Sequence, residues 1–173
     1  MSPSAQPRRP YQLILALLVV AGISFAVAQT LVVPALPFFQ QEFDTSANGA
    51  AWIATGFLLS SSVLTPILGK LGDAYGKRRV LVASLVVFGL ASLGGAFASS
   101  LEVLVGFRVV QGTGAAVFPL AFGIIRDEFP PAKVGFGVGT MSSVFGVGGG
   151  VGLLTSGVAV SYTHLTLPTI CSV

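Results

Sequence analysis

The sequence predicts an all-α polytopic membrane protein with five transmembrane helices, and three observations carry that prediction. Of 173 residues, 53% are hydrophobic and only 9% charged, with a mean hydropathy of +0.89. A soluble domain carries about 25% charged residues, so this chain has too few to cover a water-facing surface. Five apolar runs reach the length that a helix rising about 1.5 Å per residue needs to cross roughly 30 Å of hydrocarbon. The charges also sort to alternate sides of these runs. One side collects Arg8, Arg9, Lys70, Lys77, Arg78, Arg79, Arg126 and Lys133, whereas the other has Glu42, Asp44 and Glu102 with no Lys or Arg. The positive-inside rule then places the N-terminus in the cytoplasm and the chain, multi-pass, in the cell (plasma or inner) membrane. The basic excess of nine over six speaks to topology. The bilayer is the expected partner, and nucleic acid is not.

The first span, about residues 11–33, follows a short cytoplasmic tail, residues 1–10. It is too long for a signal-peptide core and further spans follow it, so it is a retained helix. The second span covers about residues 50–68 and the third about 80–98. Between them "GKLGDAYGKRRVL", residues 69–81, crowds Lys70, Asp73, Lys77, Arg78 and Arg79 into one connection. Topology needs only the positive charges there. It needs neither Asp73 nor Gly69, Gly72 and Gly76. Glycine allows close backbone approach or positive φ. A carboxylate beside helix ends can cap an N-terminus or pair with arginine. Such a cluster can lock against a neighbouring helix in one conformation and release in another.

The fourth span, about residues 101–125, contains Arg108. A central arginine costs about 2.5 to 3.5 kcal/mol on insertion scales, while each Leu, Ile, Val or Phe returns about 0.3 to 0.6. Span four has thirteen such residues, so the helix inserts, but the charge still needs a partner or a wet cavity. An intramembrane ionisable group is by default a functional candidate. The alternative is an arginine that snorkels to the interface. Gln111 and Gly112, three and four residues on, share its helix face. Pro119 frees a backbone carbonyl and invites a kink. The fifth span, about residues 134–160, is glycine-rich. No strand and βαβ unit surround it, so it is no nucleotide loop. At helical spacing Gly148, Gly152 and Ser156 form one small-residue stripe, and Gly135, Gly139 and Ser143 another, as in closely packed membrane helices.

Several of these stretches resemble signatures of the major facilitator superfamily. Gly69, Leu71, Asp73, Gly76, Lys77 and Arg78 fall on its two-to-three loop pattern, G-x-L-x-D-x-x-G-[RK]-[RK], with Ala74 where a basic residue is common. Arg108, Gln111, Gly112, Gly114, Ala115 and Ala116 fall on its span-four pattern. Span five is similar to the antiporter signature, with Leu153 at the usual proline and Ser156 replacing a glycine. "TLVVPALP", residues 30–37, is similar to span one of the fourteen-span drug exporter branch, with Ala28 at a position where that branch has aspartate.

The resemblance implies the N-terminal part of a drug:proton antiporter-like transporter, with five helices of an incomplete six-helix bundle. It also implies roles. The loop residues would latch the cytoplasmic side, Arg108 and Gln111 would face the cavity and proton pathway, and Gly112, Gly148, Gly152 and Ser156 would pack and gate. The expected activity is efflux of multidrug or small amphipathic compounds by alternating access, with protons as coupling ion. Five of the six acids lie between the spans and Glu102 stands at the very start of span four, so no carboxylate lies in the interior of a span to carry protons. A metabolite transporter on the same scaffold and a small non-transporting membrane interaction protein stay open as alternatives. No enzyme, cofactor or metal is expected, because the spans contain no paired carboxylates, nucleophile–base pair or metal-ligand cluster. Residues 161–173, which include His164 and Cys171, read as a non-native tail.

Overall fold

The computed structural model describes residues 11–166; within its last helix the side chains of residues 145, 152, 153 and 155–166 lie outside that description. The described chain is helical throughout, and five of its helical stretches are long and apolar enough to cross a membrane. α1 (Tyr11–Thr30) continues into α2 (Val32–Glu42); α3 (Ala47–Tyr75) and α4 (Lys77–Ala96) follow. α5 (Leu101–Gln111), a 3-10 turn (Gly112–Ala116) and α6 (Val117–Glu128) make up the fourth stretch, and α7 (Pro131–Thr166) the fifth. The lengths come from the apolar runs. The ends come from capping: Ser46 and Ser100 accept from the backbone N–H of Gly49 and Val103 and open α3 and α5.

Several boundaries depart from the runs read in the sequence, three of them for a local reason. The first helix breaks at Leu31 and resumes as α2. Pro34 has no N–H to give the Thr30 carbonyl, and its ring crowds that turn. The second helix extends seven residues past 68, so Gly69–Tyr75 is helix rather than loop, and Gly76 alone separates α3 from α4. Gly76 has φ +100° and donates its N–H to the Gly72 carbonyl. A residue with a side chain would be strained there. The kink invited by Pro119 is realised one turn earlier, as the tightened 3-10 turn at Gly112–Ala116. The fifth helix runs through 166, past the boundary at 160.

Packing is organised around the fourth stretch, Leu101–Glu128, which is half buried, more than any other. α1 lies along α7, and α3 lies along α5 and the 3-10 turn. Phe25 sits at the centre with Phe88, Phe118 and Phe57 at 5.5, 5.9 and 6.2 Å between ring centroids. Gly114 lets the rings of Phe25 and Phe88 approach, since a Cβ there would lie 2.6 Å from Phe88 and 2.9 Å from Phe25. The outer faces stay apolar: Leu58, Leu59, Val63, Leu90 and Leu93 are all exposed, as lipid-facing positions should be.

Candidate functional site

Two groups of polar residues stand out, one inside the fourth stretch about two turns from its start and one at the basic end of the bundle. The first centres on Arg108 of α5, whose side chain is buried although it is charged. Each guanidinium nitrogen already donates. Nε reaches the Ile53 carbonyl of α3 at 3.2 Å, Nη1 the Gln111 Oε1, and Nη2 the Gln29 Oε1 of α1 at 2.9 Å. The guanidinium carbon also stands 4.9 Å from the centroid of the Phe57 ring. That is cation–π distance, at a desolvated site where the interaction is strongest. The charge is therefore met by dipoles and a ring rather than by a carboxylate. The arginine does not snorkel.

Arg108 and Gln111 line a cavity of about 440 Å³, with Ala28 of α1, Phe39 and Glu42 of α2, and Ser92 of α4 among the other walls. The volume suits a drug-sized molecule. Helix contacts hold its shape. A Cβ on Gly112 would lie 2.5 Å from Ser60 Oγ, which donates to the Val109 carbonyl, so α3 and α5 touch backbone to backbone. A Cβ on Gly148 would meet Ala26, and Thr30 Oγ1 lies 3.5 Å from the Gly148 carbonyl, which ties α7 to α1. The surroundings of Gly152 and the side chain of Ser156 lie outside the description. The second stripe meets no neighbour within this chain: Gly135 and Gly139 have nothing within 4 Å of a Cβ, and Ser143 is exposed. The helix instead presents Met141 to Gly22, and Gly137 to Ile125 and Phe129.

At the other end, Lys77 Nζ lies 2.7 Å from Asp127 of α6 and 3.3 Å from Asp73 of α3. Gly72 and Gly123 make room for this lysine: a Cβ on Gly123 would lie 2.6 Å from its Cδ. Arg78 forms no ion pair among the described residues, and stands instead at the end of an apolar groove between α1 and α4. A Cβ on Gly69 would meet nothing within 4 Å, and Leu71 is exposed. Two participants escaped the sequence reading. Gln29 sits in span one next to Ala28 and looks like any polar residue there, and Asp127 sits between Arg126 and Glu128 at a helix end. Only the distance across the fold reveals either.

The sequence matches the Major Facilitator Superfamily over residues 18–169. It is 34% identical over 155 residues to the tetracenomycin C resistance and export protein of Streptomyces glaucescens, covering 89% of this chain and 29% of that protein. It is 34% identical to the puromycin resistance protein pur8 of Streptomyces alboniger, covering 90% and 31%, and 32% identical to the multidrug efflux pump LfrA of Mycolicibacterium smegmatis, covering 87% and 30%. The chain thus spans less than a third of the length of these relatives.

Proposed function

We propose that this chain, which belongs to the major facilitator superfamily, forms the first helical bundle of an exporter of small amphipathic, drug-like compounds. The family is one of transporters, not enzymes. The observation that carries the reading is the buried Arg108, hydrogen-bonded through each of its three guanidinium nitrogens, at the wall of a cavity shared by α1, α2, α3, α4 and α5. The names of three similar proteins, two of them resistance proteins and one an efflux pump, support export of foreign compounds as the direction and class.

In this reading the bundle rocks against a second one around a midplane site, which opens to either side in turn. Arg108 keeps α1, α3 and α5 in register about the cavity. Lys77, held by Asp73 and Asp127, closes the basic side, which we place in the cytoplasm of a cell-membrane protein. Export is driven by proton antiport. The carrier is not among the residues of the five spans, because every acid of this chain lies at a helix end or in a connection.

The test is efflux of a fluorescent amphipathic dye from cells expressing the protein, with Arg108→Ala as variant. Loss of efflux at unchanged expression, and arrest of wild-type efflux by a protonophore, are the expected results. Wild-type cells that retain the dye as long as cells lacking the protein sink the proposal.

A further inference from the structure

A groove of about 270 Å³ between α1 and α4 shares no wall residue with the cavity of Arg108. Its floor is Leu18, Leu81 and Ile124, all buried, and its rims Leu13, Leu17 and Val82 are exposed. α1 and α4 both begin at the basic end of the bundle, where α6 stops. Residue order therefore gives the groove a direction. Arg78, near the start of α4, and Glu128, the last residue of α6, stand at its end, whereas Leu17, Ala21 and Leu85 lie deeper. From Leu13 to Ala21 a helix rises about 12 Å. The groove is thus charged at one end and apolar along the rest.

Both charges are available. Lys77 holds Asp73 and Asp127, but Arg78 and Glu128 form no ion pair among the described residues, either with each other or with a neighbour. Both are exposed, and together they also line a pocket of about 320 Å³ at the helix ends, with Tyr75 and Asp127. In a bilayer the solvent of an outward-facing apolar groove is hydrocarbon, so an acyl chain fills it. The charges then decide which head group sits above that chain. A guanidinium fork matches a phosphate, and the start of α4 adds partial positive charge beside it. A purely basic pocket would take an anionic lipid. Here the Glu128 carboxylate opposes net negative charge, accepts hydrogen bonds from an ammonium, and is reinforced by the partial negative charge at the end of α6.

Independently of the export reading, we infer that this groove binds a phospholipid with a phosphoethanolamine head group, its phosphate on Arg78, its ammonium on Glu128 and one acyl chain along Leu13 and Leu17. The site lies outside the transport cavity, so its occupant is a bound lipid of the bundle rather than cargo.

The test places the full chain in nanodiscs of equal parts phosphatidylethanolamine, phosphatidylcholine and phosphatidylglycerol with identical acyl chains. Native mass spectrometry after release into detergent then reads which lipid stays bound. Phosphatidylethanolamine should be retained at least about fivefold over either of the others, the effect of one charge-assisted hydrogen bond at a partly exposed site. Phosphatidylcholine lacks the ammonium protons and phosphatidylglycerol lacks the cation. Arg78→Gln should lose retained lipid of all three kinds. Glu128→Gln should hold phosphatidylethanolamine no better than phosphatidylglycerol, and Lys133→Gln, at the same end but off the groove, should keep the wild-type preference. Equal retention of phosphatidylcholine overturns the role of Glu128. Preferred retention of phosphatidylglycerol, lost equally in Arg78→Gln and Lys133→Gln, would reduce the site to general attraction at a basic surface and overturns the inference. So does a phosphatidylethanolamine preference that survives both Arg78→Gln and Glu128→Gln.

Discussion

Arg108 shows how a charge is housed in hydrocarbon at the scale of one residue. Its donors are met by Gln29, Gln111 and the Ile53 carbonyl, and hydrogen bonds to a charged group are worth about 1.5 to 3 kcal/mol each. Gln29→Leu should therefore lower the thermal unfolding midpoint of the detergent-solubilised protein by several degrees. Gln29→Glu, which offers an acceptor with opposite charge, should not. A fluorescence-detected melting series checks this, and equal midpoints for both variants would show that Gln29 contributes nothing to holding the arginine. The glycines argue in the same way. Gly148→Leu would drive a side chain into Ala26 of α1, and such overpacking costs about 1 to 3 kcal/mol. Gly139→Leu would enter open space. The first should lower the midpoint and the second should not.

At the scale of the helix, the basic end turns on a single residue between two helices. Gly76 is strained for any residue with a side chain, at about 1 to 3 kcal/mol. The ion pairs beside it are weak by comparison. Asp73 and Asp127 are 69% and 55% exposed, and exposed pairs contribute about 0.2 to 1 kcal/mol. That difference separates two outcomes. Gly76→Val should reduce the amount of folded protein in the membrane, whereas Asp73→Asn and Asp127→Asn should leave that amount unchanged and abolish dye export. Folded Asp127→Asn protein that exports at the wild-type rate would show that Lys77 needs no partner on α6. The interrupted fourth stretch follows a similar logic: small residues at 112 and 114 let the helix tighten before Pro119, and the tight turn is where α3 packs.

For the whole molecule, the outer faces decide the environment. Exposed Leu58, Leu59, Val63, Leu90 and Leu93 cannot face water over five helices without association, so the chain should stay with the membrane fraction through an alkaline carbonate wash. The separation of charges sets its orientation in that membrane. Arg79→Cys should react with a membrane-impermeant maleimide only in inverted vesicles, and Asp44→Cys only in intact cells. The reverse labelling pattern would turn the molecule over.

The number of crossing helices, their apolar lengths and the alternation of charge were legible in the sequence, because each depends on a run of neighbouring residues and on the thickness of hydrocarbon. The spacing of three between Arg108 and Gln111 was legible for the same reason, since one helix turn brings them together. What only the tertiary structure decided are contacts made across the chain. Gln29 meets Arg108 from 79 residues away, and Asp127 meets Lys77 from 50. It also decided which glycines of α7 pack within this chain, Gly148 against Ala26 and Gly137 against Ile125 and Phe129. Helical periodicity defines stripes but not the rotation that aims one at a neighbour. That rotation is settled by the fit of Met141 against Gly22 and of Ala26 against Gly148, which no local pattern contains.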